Sequence, residues 1–299
     1  MIRPINLHIT TQKGRRDQNE DMEEYLLNLK YTGDALDNNC SPIDFFLICD
    51  GHGGKEVAEY IAPKLKHIFT KKGLIYPLSE TYINKIFYVI QNKLAKDQSM
   101  IGYDCGSTAL IIIRYKNSNN GESIQIINLG DCRAVLSKNG KAYPLTVDHK
   151  PSTISESNRI KEINDKLYRE KKYDKIKTIE YHDGDYRVNG LSVCRALGDV
   201  ESGPQVAFIP DIKNIDLDGN EDFIIMACDG LWDVFDNEDA VKFISDHLNN
   251  NDKNYVIENK YPMENVKKTN CLARKIASYA IALGSGDNIS VFVIIFRNN

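Results

Sequence analysis

Five acids stand where apolar runs of this chain end or begin. Asp50 follows the run Phe45–Cys49 and leads into Gly51-His52-Gly53-Gly54. Asp131 follows Leu129-Gly130, and Asp229 follows Ala227-Cys228. Asp287 stands just before the run that begins at Ile289, and Glu20, with Asp21, precedes the apolar-containing segment 25–29. One such Asp has a local explanation, because Asp-Gly is good turn chemistry and Asp caps helices. That explanation is strongest for Asp131, which reads as part of a hairpin turn. Several acids together ask for more. If these chain ends converge, like charges so close cannot all ionise unless cations compensate them. An all-oxygen donor set selects hard ions such as Mg2+, Mn2+ or Ca2+ over zinc. An EF-hand is excluded, since residues 216–221 misplace the loop glycine and lack the closing glutamate. Gly51 lets the backbone approach an ion closely and offers its carbonyl as a ligand. His52, beside such a site, is a candidate proton donor near neutral pH.

The elements that must carry these residues are short strands and amphipathic helices. Segments 43–49, 107–115, 124–129, 132–137, 222–228 and 289–296 are rich in Ile, Val and Phe and bounded by Gly, Asn or Asp, as strands are. Gly130-Asp131 predicts a two-residue hairpin between 124–129 and 132–137, and Asn139-Gly140 predicts a second tight turn. Apolar residues recur every three or four positions in 55–70, 79–96, 237–248 and 270–283, which predicts helices. Asn237 is the expected cap of the third, and Gly284 the expected stop of the fourth. Hairpins mixed with helix pairs indicate an antiparallel α+β arrangement rather than a parallel βαβ one. Residues 165–187 break the pattern. They are charged, rich in Lys and Tyr, and poorly periodic, and read as an exposed insertion.

The 299 residues suffice for one large core, and a formal net charge of −4 shows no basic excess for nucleic acid. No run approaches the roughly 18 apolar residues of a membrane span. The N-terminal residues lack the apolar stretch of a secretory signal. Seven cysteines, an odd number without C-x-x-C spacing, read as reduced buried thiols of a cytoplasmic or nuclear protein. There is no C-x5-R nucleophile motif, G-x-S-x-G elbow or Walker A loop.

In chain order, the stretches GRRDQNEDM (14–22), CDGHGG (49–54), CGSTALI (105–111), NLGDCRAVL (128–136), TVDHKPS (146–152), RVNGLSVCRALGD (187–199), ACDGLWDV (227–234) and GSGDNISVFVI (284–294) resemble the metal-dependent Ser/Thr protein phosphatases of type 2C. The resemblance implies a single catalytic domain over 1–299, built as a central sandwich of two antiparallel sheets with helices on both outer faces (αββα). It implies Mg2+- or Mn2+-dependent hydrolysis of phosphoserine and phosphothreonine in proteins, by a metal-activated water and without a phospho-enzyme. It also implies roles. Asp50 would bridge two ions. Glu20 and the Gly51 carbonyl would complete one, and Asp229 and Asp287 would hold the other. Asp131 with Asp229 resembles a weaker third metal site. Arg16 would bind the substrate phosphate and His52 would protonate the leaving oxygen. Phosphoproteins are the expected partners and a monomer the expected state. The chain departs from the family where the charged insertion replaces a Gly-Gly pair before RVNG; there Lys166, Lys171, Lys172 and Tyr173 are candidate substrate contacts. The competing expectation is a non-catalytic, phosphoprotein-binding relative of the same fold.

Overall fold

The strand Ile43–Cys49 is buried at every position because it lies in the middle of a sheet covered on both faces. Its side chains alternate. Phe46 and Ile48 point toward a second sheet, while Phe45, Leu47 and Cys49 point toward helices. That one strand encodes the layering of the molecule. The computed structural model describes residues 3–29, 43–96, 101–248 and 271–296.

In chain order the strands are β1 (Ile5–Gln12), β2 (Met22–Leu29), β3 (Ile43–Cys49), β4 (Gly51–His52), β5 (Gly106–Ser107), β6 (Ala109–Lys116), β7 (Glu122–Leu129), β8 (Arg133–Lys138), β9 (Lys141–Pro144), β10 (Ile179–His182), β11 (Asp185–Val188), β12 (Leu197–Gly198), β13 (Asp211–Leu217), β14 (Glu221–Ala227) and β15 (Ile289–Phe296). The helices are α1 (Glu56–Phe69), α2 (Glu80–Lys96), α3 (Ile154–Arg169), the single turn α4 (Asp229–Trp232), α5 (Asn237–Leu248) and α6 (Leu272–Leu283). Two five-stranded antiparallel sheets, ordered β1-β15-β14-β8-β9 and β13-β7-β6-β3-β2, face each other. Phe46, Ile48, Leu110, Ile112, Ile126, Leu136, Met226, Phe292 and Ile294 fill the space between them. Helices α1 and α2 cover the outer face of one sheet through Val57, Ile61, Leu65, Ile83 and Phe87. Helices α5 and α6 cover the other through Val241, Ile244, Ile276 and Ala280. The fold is therefore the α+β sandwich with helices on both outer faces.

Elements 237–248 and 289–296 fall where the periodicity puts them. Asn139 and Gly140, both at positive φ, turn β8 into β9 in register Lys138↔Lys141. Gly284, at φ 110, ends α6. Three expectations are corrected. Gly130-Asp131 is not a hairpin turn, because β7 and β8 belong to different sheets. The link crosses the sandwich at Gly130 (φ 105), where a Cβ would meet the Thr108 side chain at 2.5 Å. Asp131 consequently sits inside the molecule, 3% exposed, rather than on a turn. The cap of α5 is Asp236, whose Oδ1 accepts from the Asp239 N–H at 2.7 Å; Asn237 instead accepts from Arg133. Finally, residues 165–169 are not insertion but the last turn of α3, anchored by buried Leu167. A short turn at Tyr173–Lys175 and the hairpin β10–β11 follow. The six cysteines among the described residues are free, but Cys105 and Cys271 are only half-buried, and Cys40 lies outside those residues.

Candidate active site

Both sheets deliver acids to the same end of the sandwich. Asp50 leaves β3 with its backbone pinned to Thr108. The Asp50 N–H donates to Thr108 Oγ1 at 3.0 Å, and the Thr108 N–H donates to the Asp50 carbonyl at 2.9 Å. Asp229 opens the turn after β14, and Asp287 lies in the turn before β15. These two are drawn together by close backbone contact: a Cβ on Gly230 would stand 2.0 Å from the Asn288 carbonyl, and Ser285 Oγ donates to the Gly230 carbonyl at 2.7 Å. Asn288 ties in the N-terminal loop. Its Nδ2 donates to the Lys13 and Gln18 carbonyls (2.8 and 2.9 Å), and its Oδ1 accepts from the Glu20 N–H at 2.8 Å.

One pocket results, lined by Arg16, Glu20, Asp50, Gly51, His52, Gly53, Thr108, Asp131, Arg187, Leu191, Ser192, Val193, Asp229 and Asp287. Every acid assigned a role in the sequence lines it, as do Arg16 and His52. Lys166, Lys171, Lys172 and Tyr173 do not. The segment that contains them reaches the pocket only further along, with Arg187 and the loop 191–193. Lys172 pairs with Glu170 at 2.7 Å, and Tyr173 packs edge-on against Tyr168.

The charge balance explains what such a pocket wants. Burial, and then the charges of Asp21, Asp229, Asp131 and Asp287, push the Asp50 carboxyl well above its usual range. Burial, with Asp131 and Asp233, does the same to Asp229. Burial also raises Asp131, against the pull of Lys150. Lys150 is the chain's own partial compensation, with Nζ 3.8 Å from Asp131 and 3.4 Å from Asp233. Asp21, given no role above, belongs here too. It is 4% exposed, neither carboxylate oxygen has a hydrogen-bond partner among the described residues, and burial lifts it to about 6. One ligand atom each of Asp21, Asp50 and Cys228 lie within 4.8 Å of one another. Crowded carboxylates and orphaned carboxylate oxygens fit hard divalent cations. Arg16 Nη2 donates to Asp287 Oδ2 at 2.5 Å while remaining largely exposed at the rim. His52 Nε2 lies 2.7 Å from Asp199 Oδ2. Burial opposes its charged form, but Asp199, with Asp131 and Glu20, outweighs that and raises its pKa above the ordinary histidine value.

A stability prediction follows. Asp21, Asp50, Asp131 and Asp229 have folded pKa values above the unfolded value of roughly 3.9. Within each gap the folded chain binds more protons than the unfolded chain, so stability falls as pH rises. In chelator, the melting temperature is expected to fall from about pH 4 through 6, the Asp21 window, and further as Asp50 and Asp229 ionise. Asp211, held near 2 by His149 and Arg195, loses its opposite contribution only below that window. Saturating Mg2+ is expected to flatten the slope. A metal-free melting curve that rises over this range contradicts the burial argument.

The match to known proteins now decides the family. The family model of protein phosphatase 2C matches residues 5–289. The chain belongs to the protein phosphatase 2C family. It is 46% identical over 181 residues to a PP2C-like domain-containing protein of Acanthamoeba polyphaga mimivirus, covering 60% of this chain and 98% of the viral one. It is 32% identical over 307 residues to protein phosphatase 1L of Bos taurus, covering 98% of this chain and 73% of the bovine one. Among solved structures, a C. elegans sex determining protein aligns with a TM-score of 0.74 at 26% identity, over 98% of this chain and 65% of that one. The serine-threonine phosphatase 2C of Toxoplasma gondii aligns at 0.70 and 18% identity, over 98% and 95%, which shows the shared fold. Membership makes this chain a protein phosphatase, an enzyme whose substrates are phosphoproteins. No helix among the described residues is long and apolar enough to cross a membrane.

Proposed function

We propose that the pocket hydrolyses phosphoserine and phosphothreonine in proteins with two Mg2+ or Mn2+ ions. The observation that carries this reading is the set of buried, mutually repelling carboxylates that shares one pocket with an arginine and a histidine. Asp50 would be common to both ions. Glu20 and the Gly51 carbonyl would serve one, and Asp229 and Asp287 the other, with Asp131 and Asp229 available to a third. When bound, such ions lower the pKa of water and neutralise charge on the phosphoryl group. The chain's own residues do the rest. Arg16, exposed at the rim, offers a planar fork that matches phosphate oxygens and fixes the group's orientation. Thr108 holds the Asp50 backbone so that its carboxylate faces the pocket. His52 gives a proton to the departing serine or threonine oxygen, a poor leaving group that needs one. A side-by-side assay with millimolar Mn2+ tests the reading: phosphoserine and phosphothreonine peptides are expected to be turned over and nucleotides not. Comparable nucleotide hydrolysis, or no phosphopeptide turnover, overturns it.

We also propose that the segment around β10–β11 shapes substrate choice. Tyr181 of β10 and Tyr186 of β11, both exposed, form an edge-on pair across the hairpin, and Tyr186 directly precedes Arg187 of the pocket on the same strand. The cut that tests this must spare residues up to 179. Leu167 is core, the Lys175 and Lys177 carbonyls accept from Gln205 and Asn164, and Ile179 packs on Ile160 and Val188. Replacing 181–186 by a short Gly-containing turn is expected to leave turnover of an aryl phosphate near normal. It should raise KM for some phosphoproteins, because a lost docking surface removes uniform binding. An unchanged ranking across a substrate panel rejects a recognition role.

A further inference from the structure

Asp199 closes the stretch RVNGLSVCRALGD and has no part in the reading above. Its side chain is almost wholly buried, with Oδ2 2.7 Å from Nε2 of His52. The two residues are 147 positions apart, and specific features of the fold bring them together. Strands β4, β5 and β12 form a small antiparallel sheet in which His52 pairs with Gly106 and Gly106 with Gly198. Asp199 therefore leaves this sheet level with His52. At Gly106 a Cβ would stand 2.0 Å from Asp199 Oδ2 and 2.4 Å from His52 Nε2, so only glycine leaves room for the two side chains to meet. From the other side, Gln91 of α2 clamps Gly198. Its Nε2 donates to the Gly198 carbonyl at 2.7 Å, and its Oε1 accepts from the Gly198 N–H at 2.8 Å. Asp199 itself is held at φ 47, in the left-handed region that a short polar side chain tolerates. Its N–H donates to the Cys105 carbonyl at 3.0 Å, and its carbonyl accepts from the Ser202 N–H at 2.9 Å. Three elements thus fix one carboxylate against one imidazole nitrogen.

An ionised carboxylate only accepts, so Nε2 carries a hydrogen in this contact. We infer that Asp199 is the positioning residue for His52: it fixes the hydrogen on Nε2 and leaves Nδ1 as the nitrogen that gives its proton to the leaving oxygen. The inference rests on the reading of His52 as proton donor. In the step, the bond from phosphorus to the serine or threonine oxygen breaks and its electron pair stays on that oxygen. Water supplies the oxygen that replaces it on phosphorus, and its two hydrogens remain on the released phosphate, which later gives one up to the solvent. The proton on Nδ1 passes to the departing oxygen, and the imidazole is left neutral with its remaining hydrogen on Nε2, where Asp199 accepts from it. Without Asp199 nothing accepts from the Nε2 hydrogen, so the ring can rotate, and a fraction of molecules no longer turns Nδ1 and its proton toward the leaving oxygen.

The experiment compares kcat on a phosphopeptide with kcat on an activated aryl phosphate, whose leaving group needs little protonation. The Mg2+-loaded proteins are wild type, His52→Gln, Asp199→Asn, Asp199→Ala and the double variant His52→Gln/Asp199→Ala. His52→Gln is expected to lose roughly 100-fold on the phosphopeptide and far less on the aryl phosphate. Asp199→Ala should show the same selectivity with a loss of roughly tenfold or more. Asp199→Asn keeps an acceptor of the same shape; it should lose less, and it stands in if the alanine variant does not fold. The double variant should be no worse than His52→Gln alone, since residues acting as one unit are not additive. Nitrogen-15 spectra of labelled histidine, taken at a pH where His52 is neutral, should show its hydrogen on Nε2 in the wild type and a mixture of the two tautomers in Asp199→Ala. Selective loss in His52→Gln but uniform or no loss in both Asp199 variants overturns this inference alone, as does an Nδ1–H tautomer in the wild type. Equal loss on both substrates in His52→Gln overturns the proton-donor reading and this inference with it.

Discussion

Chelating divalent cations is expected to abolish phosphopeptide turnover, and adding Mg2+ or Mn2+ back in the millimolar range to restore it. The reason lies in the charge of the pocket. Asp50, Asp131 and Asp229 are buried together and each is pushed above the usual carboxylate range. Lys150 is the cation among the described residues that stands close to Asp131, and it does so at 3.8 Å. Stripped of metal, the pocket presents a phosphate dianion with unneutralised acids, and Arg16 is engaged with Asp287. Affinity for the ions should be modest, because hard cations on a few carboxylates keep part of their water shell. The fold should survive chelation, since the three large apolar clusters of the sandwich and its two helical faces draw nothing from the pocket. Unchanged circular dichroism with lost turnover is the expected pair of results. Undiminished turnover in buffer shown to be free of divalent ions removes the metal role from Glu20, Asp50, Gly51, Asp229 and Asp287 together.

The parts of this molecule that were legible in the sequence are those set by local rules. Strand β3 announced itself because a strand covered on both faces must be apolar throughout, and Asp50 stood out because nothing in such a strand calls for an acid at its end. Helix α5 and strand β15 were bounded correctly by their own periodicity. Strand β13 escaped because it is an edge strand with exposed Asp211, Lys213 and Asn214 alternating irregularly with half-buried residues. The Gly130-Asp131 link was misread because a hairpin and a crossover between sheets use the same turn chemistry; only the pairing of β7 with β6 and β13 in one sheet and of β8 with the distant β14 in the other distinguishes them. The site was legible in its acids and less so in its supports. Asn288 and Thr108 lock it through contacts across 270 and 58 positions. Asp21 passed unassigned because burial, not spacing, sets its importance. Asp199 meets His52 only once two short strands have paired through Gly106, and no local pattern encodes that.

Asp229→Asn is the sharpest single substitution, because it keeps the side chain's shape and removes the charge. Turnover of phosphopeptides should fall by at least roughly 100-fold, the upper end of what losing even an indirect metal contact costs. The stability of the metal-free protein should move the other way. Burial disfavours the ionised carboxyl, and Asp131, Asp233 and Asp287 repel it, so an uncharged amide relieves more repulsion than it loses in attraction to Lys150. The melting temperature in chelator at neutral pH is therefore expected to equal or exceed that of the wild type. With metal the order should reverse. A ligand that binds only the folded state stabilises it by about 2.7 kcal/mol at a hundredfold excess over its Kd, and the asparagine side chain offers the ion a neutral oxygen in place of a carboxylate. The wild type should gain several degrees on adding Mn2+, and Asp229→Asn little. Melting curves with and without Mn2+, run beside the kinetic assay, separate the two causes of lost activity. A variant that is folded, turns over normally and still shows the full Mn2+ shift has no ligand at Asp229. A variant that is inactive because it melts early even in chelator shows instead that Asp229 holds the turn after β14 together.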